Sequence, residues 1–410
     1  MPRSVPRLRV ETREIDPVDD LLAYTDPARP LVWQRRGDGL VGAGTALALQ
    51  RDGSFRAAWA RVVEAAEIDD PLTLPGTGLV AFGALPFDPH SARDGAMIVP
   101  EWIVGRHGGR AWATRIHPLG SPAPEPRAPI EYGPHWSATL GPGALTADGY
   151  QRIVRAGLDA IAAGKVSKVV LARDLAGTVP EHADLRRLVR ALASGYPDTW
   201  AFAVDGLIGA SPETLVTVHG GTVTARVLAG TATRGADPDA DTAAALALVT
   251  STKDQDEHGF AVQSVLASLA PHTSVVTASE QPFTLKLPNV WHLATDIEGR
   301  LADAASALDL VAALQPTAAV AGTPTDRALD LIRRLEPFDR GRYAGPVGWI
   351  DANGDGEWAI ALRCAQFAAP GTGERAFTAY AGAGIVAGSD PDAELLETRV
   401  KFRPIVDALA

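Results

Sequence analysis

Two dipeptides, Asp205-Gly206 and Gly220-Gly221, separate three strand-like runs: Trp200–Val204, Leu207–Val218 and Thr222–Leu228. Such dipeptides fit two-residue hairpin turns, so the strands they join are antiparallel. Helical periodicity surrounds this meander. Before it, Tyr150, Ile153, Val154, Gly157, Leu158 and Ile161 keep helical spacing up to Gly164, Val166–Leu171 reads as a strand, and a short helix is expected near Ala183–Ala193. After it, one long helix is expected over roughly Asp239–Leu269, then a strand at Val290–Thr295 and helices at Ala304–Leu314 and Asp326–Leu335. Strands at Pro346–Ile350 and Glu357–Gln366 follow. Helices alternate with antiparallel hairpins rather than with single parallel strands, which is an α+β pattern and not a doubly wound one.

The first 115 residues add hairpin-like runs, Gly78–Phe82 and Trp102–Val104, the latter joined through Gly105–Gly109 to Ala111–Ile116, without a chemical motif. A Pro- and Gly-rich stretch, Pro118–Gly143, reads as a domain linker or as a loop over the surface. The net charge of −11 argues against nucleic-acid binding and requires that any anionic ligand meet a locally positive site. A single cysteine, Cys364, excludes an internal disulfide framework and a cysteine-rich zinc site. The N-terminal stretch has no apolar signal core and no run approaches the length of a membrane span, so the expectation is a cytoplasmic protein with no membrane partner.

The densest chemistry lies near the C-terminus: a strand and glycine turn (Phe377–Val386) followed by a helix carrying Glu394, Glu397 and Lys401 on one face. Ser389 or Asp390 can cap that helix and Pro391 suits its first position. By itself the face reads as a solvated stripe with a Glu397–Lys401 pair. Two other motifs mislead. Asp351-x-Asn353-x-Asp355-Gly356 copies half of a calcium loop, but Leu362 stands where a bidentate Glu is needed, so a hairpin turn is expected. Gly382-x-Gly384-x-x-Ala387 matches a dinucleotide fingerprint, yet no further strand follows to complete a βαβ unit, and close backbone approach to an anion explains the glycines better.

Four other segments carry candidate groups. Lys168 stands on an apolar strand face with Val166, Val170 and Ala172, either as an edge guard or as a lysine in a pocket. Glu213 follows Pro212 inside an apolar run. Asp254, Glu257 and His258 share a helix face, and carboxylates on two helices suit Mg²⁺, which takes few protein oxygens. Arg363 alternates with Ala359, Ala361 and Ala365 in its strand, leaving room for a carboxylate, with Tyr380 as a plausible neighbour.

Taken in order, the segments 168–173, 209–213, 228–231, 253–258, 290–293, 316–322, 343–349, 354–358, 362–365, 381–386 and 397–401 resemble the chorismate-utilising enzymes over residues 145–405. The resemblance implies a single domain over 1–410, built as two stacked, mainly antiparallel sheets flanked by helices, with 1–140 as the divergent half of that sandwich. It implies Lys168 as the base that activates water and Glu213 as the acid, since water, unlike ammonia, needs a base to become a nucleophile. It implies Mg²⁺ on Glu257 and Glu397, with Asp254 and Glu394 as alternates. Substrate contacts fall to Gly230, Thr231, His292, Ala319, Tyr343, Arg363, Tyr380, Gly382, Gly384 and Lys401, with backbone amides of 382–384 completing the anion site.

Lys168 and Ala319 point within this family to isochorismate formation from chorismate. Pyruvate-releasing and amine-adding members resemble one another in a hydroxyl residue at the position of Ala319. A salicylate synthase is the alternative, with an anthranilate-type subunit or a non-catalytic chorismate-binding module behind it. No glutaminase partner is expected, and the resemblance favours a monomer. Gln315 departs from the histidine usual in related synthases, which puts local pocket geometry in question.

Overall fold

The computed structural model describes residues 6–49, 54–288, 290–302 and 304–410, with the backbone alone at Lys253 and Glu257. Eight strands and four helices position the site. The strands are β1 (Lys168–Val179), β2 (Leu207–Ser211), β3 (Thr214–His219), β4 (Thr222–Thr233), β5 (Val290–Leu301), β6 (Gly356–Ile360), β7 (Cys364–Phe367) and β8 (Arg375–Ile385). The helices are α1 (Pro238–Thr250), α2 (Thr252–Leu269), α3 (Thr325–Leu335) and α4 (Pro391–Leu409).

Among the described residues two stacked sheets form, antiparallel except where Leu8–Ile15 meets Glu67–Asp69. The first holds β1, β8, β7 and β2, continuing through Trp200–Val204 to strands of the N-terminal half. The second holds β5, β4, β3 and β6, then Pro346–Asp351 and Val80–Ala84. Both sheets therefore draw strands from both halves of the chain. The main core fills the space between the sheets around Trp33, Phe82, Trp349 and Trp358. A second core lies on the other face of the first sheet, where Leu188 and Leu192 meet Phe402 and Ile405 of α4.

The hairpin turns fall where the dipeptides place them: Asp205 and Gly206, like Gly220 and Gly221, have positive φ. Asp351–Gly356 is likewise a hairpin turn, its Asp351 carboxylate accepting from the amides of Asn353 and Asp355. The 118–143 stretch runs over the surface, pinned by Ile130 to Ala23 and by Arg186 to the carbonyls of Ile130 and Glu131.

Four expectations need correction. The long helix is two, because Ser251 leaves helical geometry and its hydroxyl caps α2 at the Asp254 amide. The Leu207–Val218 run is two strands in different sheets, broken at Pro212-Glu213, since proline has no N–H for the ladder. The Glu357–Gln366 run also changes sheet, through Ala361–Arg363, with Arg363 in the left-handed region (φ 48°). Its strict alternation therefore fails at Arg363. Finally, Gly382 and Gly384 lie inside β8 rather than in a turn. A Cβ on Gly382 would sit 2.8 Å from the Leu171 carbonyl oxygen, so close strand packing requires that glycine.

Behind β1, Glu336 at the end of α3 accepts from the Ala172 amide (2.8 Å) and from Arg340 (2.6 and 2.8 Å). Arg340 also donates to the carbonyls of Val320 and Val170 (3.0 and 2.7 Å), and both side chains are buried. Removing one partner strands a buried charge. Glu336→Ala should therefore destabilise the protein by about 3–5 kcal/mol, read as a lowered urea midpoint at an unchanged slope.

Candidate active site

The two sheet changes lie side by side. Ile360 N donates to the Glu213 carbonyl (3.1 Å) and Ala210 N to the Arg363 carbonyl (3.2 Å). Ser211 braces the turn: its hydroxyl donates to the Ile360 carbonyl (2.6 Å) and accepts from the Glu213 amide (3.2 Å). A strand that continued in one sheet would aim alternate side chains at the two faces. These crossings instead leave Glu213 and Arg363 in the gap between the sheets, where they line a cavity of about 200 Å³.

Lys168, at the start of β1, lines the same cavity beside Val170, so the pocket alternative for this lysine is the one realised. Glu213 is buried, and burial pushes its carboxyl up to about 7, opposed by the charges of Lys168, Lys401 and Arg363. Near neutral pH this acid holds its proton about half the time and can donate it. Arg363 is also buried; its Nη1 has no hydrogen-bond partner, and burial lowers its pKa. A guanidinium held this way has capacity for an incoming carboxylate. Tyr343 and Tyr380 stack nearby, 5.1 Å between centroids and 16° apart in plane, and both line the cavity.

Gly230, Thr231 and His292 form another wall. Gly230 (φ 77°) sits where the β4–β5 register slips by one residue, between Ala229 and Thr231. His292 Nδ1 lies 3.0 Å from the Thr231 hydroxyl and 3.3 Å from the Gly230 carbonyl. That carbonyl can only accept, so the proton sits on Nδ1. Nε2 is then an acceptor, buried and without a partner. Burial, with Arg363 and Lys401, pushes the imidazole down to about 3, so His292 stays neutral at working pH.

Helix α4 begins as expected, with Asp390 accepting from the amides of Asp392 and Ala393 and Pro391 in the first turn. Its Glu394, Glu397 and Lys401 all face the cavity, and Asp254 of α2 joins them. Lys401 Nζ lies 2.6 Å from Glu397 and donates to the Gly382 carbonyl at 2.9 Å. The contact seen at Gly382 is therefore a carbonyl, where backbone amides were expected. The Glu257 side chain lies outside the described residues. Asp254, Glu394 and Glu397 offer carboxylate oxygens, the ligand type Mg²⁺ takes, but among the described residues no three such side chains are grouped to hold an ion. Ala319 and Gly384 also line the cavity. Gln315 does not; its amide donates to the carbonyls of Pro86 and Phe87.

Residues 134–410 match the family model for chorismate binding enzyme. The chain belongs to the chorismate-binding enzymes. Among relatives in this family, the isochorismate synthase DhbC of Bacillus subtilis is 43% identical over 272 residues, covering 63% of this chain and 67% of its own. The salicylate biosynthesis isochorismate synthase of Pseudomonas aeruginosa is 33% identical over 99% of this chain and 90% of its own. Among solved structures, MenF, the menaquinone-specific isochorismate synthase of Escherichia coli, superposes with a TM-score of 0.81 at 26% identity, covering 99% of this chain and 96% of that one.

Within this member of the chorismate-binding family, sequence reasoning missed Ser211 and the Glu336–Arg340 pair, although Arg340 lines the cavity. Glu336 caps the end of α3 and Arg340 lies in the non-helical chain beyond Pro337, so no helical spacing signalled the pair.

The raised carboxyl has a stability consequence. Unfolded, a glutamate ionises near 4.5; folded, Glu213 does so near 7, so the native state loses stability as pH rises between those values and no more above them. Glu213→Gln should match the native protein in chemical denaturation at pH 4.5 and exceed it by about 3 kcal/mol at pH 8.

Proposed function

We propose that this chain is a Mg²⁺-dependent isochorismate synthase, an isomerase that adds water at ring carbon 2 of chorismate and releases the hydroxyl at carbon 4. The observation that carries this reading is the pairing, across one cavity, of Lys168 with a buried acid that ionises near neutrality. Lys168 takes a proton from the attacking water. Glu213 gives its proton to the departing hydroxyl, and the ring double bonds shift between the two positions. Arg363, with Tyr343 and Tyr380, binds the enolpyruvyl carboxylate, and neutral His292 accepts a hydrogen bond from the substrate through Nε2.

Glu257 and Glu397 would hold Mg²⁺, with Asp254 and Glu394 as alternates; the ion supplies positive charge for the ring carboxylate. Lys401 sets the position of Glu397. Ala319 leaves no hydroxyl on that wall to direct an enolpyruvyl group toward elimination, which favours isochorismate as the final product over salicylate. Water as nucleophile removes the need for a glutaminase subunit, and the same reading takes the enzyme to be a cytoplasmic monomer, its halves 1–140 and 145–405 folding as one domain. No described helix is long and apolar enough to cross a membrane.

Purified protein with chorismate and Mg²⁺ should yield isochorismate by chromatography. Salicylate with pyruvate would indicate the alternative, and no product would reject both. Lys168→Ala and Glu213→Gln should each lower kcat by about 10²–10⁴-fold, the usual worth of a positioned acid or base. Glu397→Gln should raise the Mg²⁺ concentration needed for half-maximal rate by about tenfold or more.

A further inference from the structure

Behind Glu213 lies a second, smaller space. Glu213 and Ala319 line both it and the main cavity, so they form the wall between the two. The rest of its lining is mostly apolar: Ala225 and Val227 of β4, Ala261 and Val265 of α2, and Ile360 of β6. Thr317 interrupts that lining with a hydroxyl oxygen that is buried and has no hydrogen-bond partner in the protein. By contrast, the Thr214 hydroxyl is already engaged, accepting from Trp200 Nε1 at 2.9 Å. The space has a volume of about 20 Å³. One water needs roughly 10–15 Å³ and polar partners, and buried hydroxyls without protein partners are where such waters sit. Arg226, held by both Asp296 oxygens (2.6 and 2.9 Å), also lines the chamber and is part-exposed to solvent.

We propose that this chamber holds a water anchored by Thr317, through which the Glu213 carboxyl exchanges protons with solvent while substrate fills the main cavity. The inference rests on Glu213 being the acid of the proposed isomerisation. In one turnover the Glu213 proton leaves on the hydroxyl released from carbon 4, and Lys168 gains the proton of the attacking water. Resetting the site requires one proton from solvent to Glu213 and one from Lys168 to solvent. With a ligand in front of it, Glu213 is cut off from solvent unless a rear path exists. The charged and titratable groups facing Glu213 are Lys168 from β1, Lys401 from α4 and Arg363 at the crossing, with neutral His292 across the cavity and Arg226 at the rear. Helix α2 turns Ala261 and Val265 to the chamber.

The pH dependence of kcat reports ionisations in the substrate complex, and that of kcat/KM reports those of the free enzyme. In the native enzyme both should fall, on the order of tenfold per pH unit, above the ionisation of Glu213. Thr317→Val, which keeps the shape and removes the hydroxyl, should retain the fall in kcat/KM and lose the fall in kcat above the ionisation of Glu213, leaving only the dependence set by Lys168. Thr317→Ser, which keeps the hydroxyl, should restore the fall. Thr317→Ala serves if the valine variant does not fold. A packing role for the threonine methyl predicts the reverse: serine impaired, valine native. A native kcat profile in the valine variant, or a serine variant that behaves like it, overturns the chamber.

If the native protein makes no isochorismate, the functional reading fails. The chamber is then judged by infrared spectroscopy of the chorismate-bound protein, following transfer to D₂O at the carboxyl band that Glu213→Gln removes. Exchange slowed tenfold or more in Thr317→Val supports it, and an unchanged rate overturns it.

Discussion

Two neighbouring chain segments change sheet at one level, and the site depends on it. Pro212 ends one ladder and the left-handed backbone at Arg363 ends the other. Ser211 and two main-chain hydrogen bonds hold the breaks together. Within an intact sheet these positions would pack against the opposite sheet and would be filled by apolar side chains. At the crossings the sheets part, and a glutamate and an arginine can be buried without closing the gap between them.

Burial then sets the chemistry. An ionised carboxylate at Glu213 is penalised by desolvation and relieved in part by Lys168, Lys401 and Arg363, and the balance leaves its ionisation near neutrality. At His292 burial and two cations act in the same direction and keep the ring neutral. The same cations would offset the charge of an anionic ligand in a chain whose net charge is −11. Lys168, Lys401 and Arg363 therefore place positive charge inside the cavity of a chain that is acidic overall. Glu397, bridged to Lys401, and Glu394 keep negative charge at one end of the cavity.

Much of this was legible in the chain. Asp205-Gly206 and Gly220-Gly221 turn where such dipeptides must, because positive φ at both positions matches the strand twist. Glu394, Glu397 and Lys401 share a face because helical geometry demands it, and Asp390 caps where its side chain can reach two amides. Reading failed where a run was apolar on both sides of a break. Leu207–Val218 and Glu357–Gln366 look continuous, since strands in either sheet are equally buried and show no change of pattern at the crossing. Ser251 was lost inside a helical pattern for the same reason: its capping role depends on a bend that periodicity does not register.

Local sequence determined the antiparallel hairpins, the C-terminal helix with its two carboxylates and lysine, and the α+β character of the chain, because turn chemistry and helical period act over a few residues. Tertiary structure alone decided that Lys168 faces a pocket instead of guarding an edge, that the Glu213 carboxyl is buried and its ionisation raised, and that Ser211, Glu336 and Arg340 brace the cavity. Those properties come from what other segments exclude: water from a carboxyl, and alternatives from a buried charge. Such exclusion arises where chain segments far apart in sequence close around the same point.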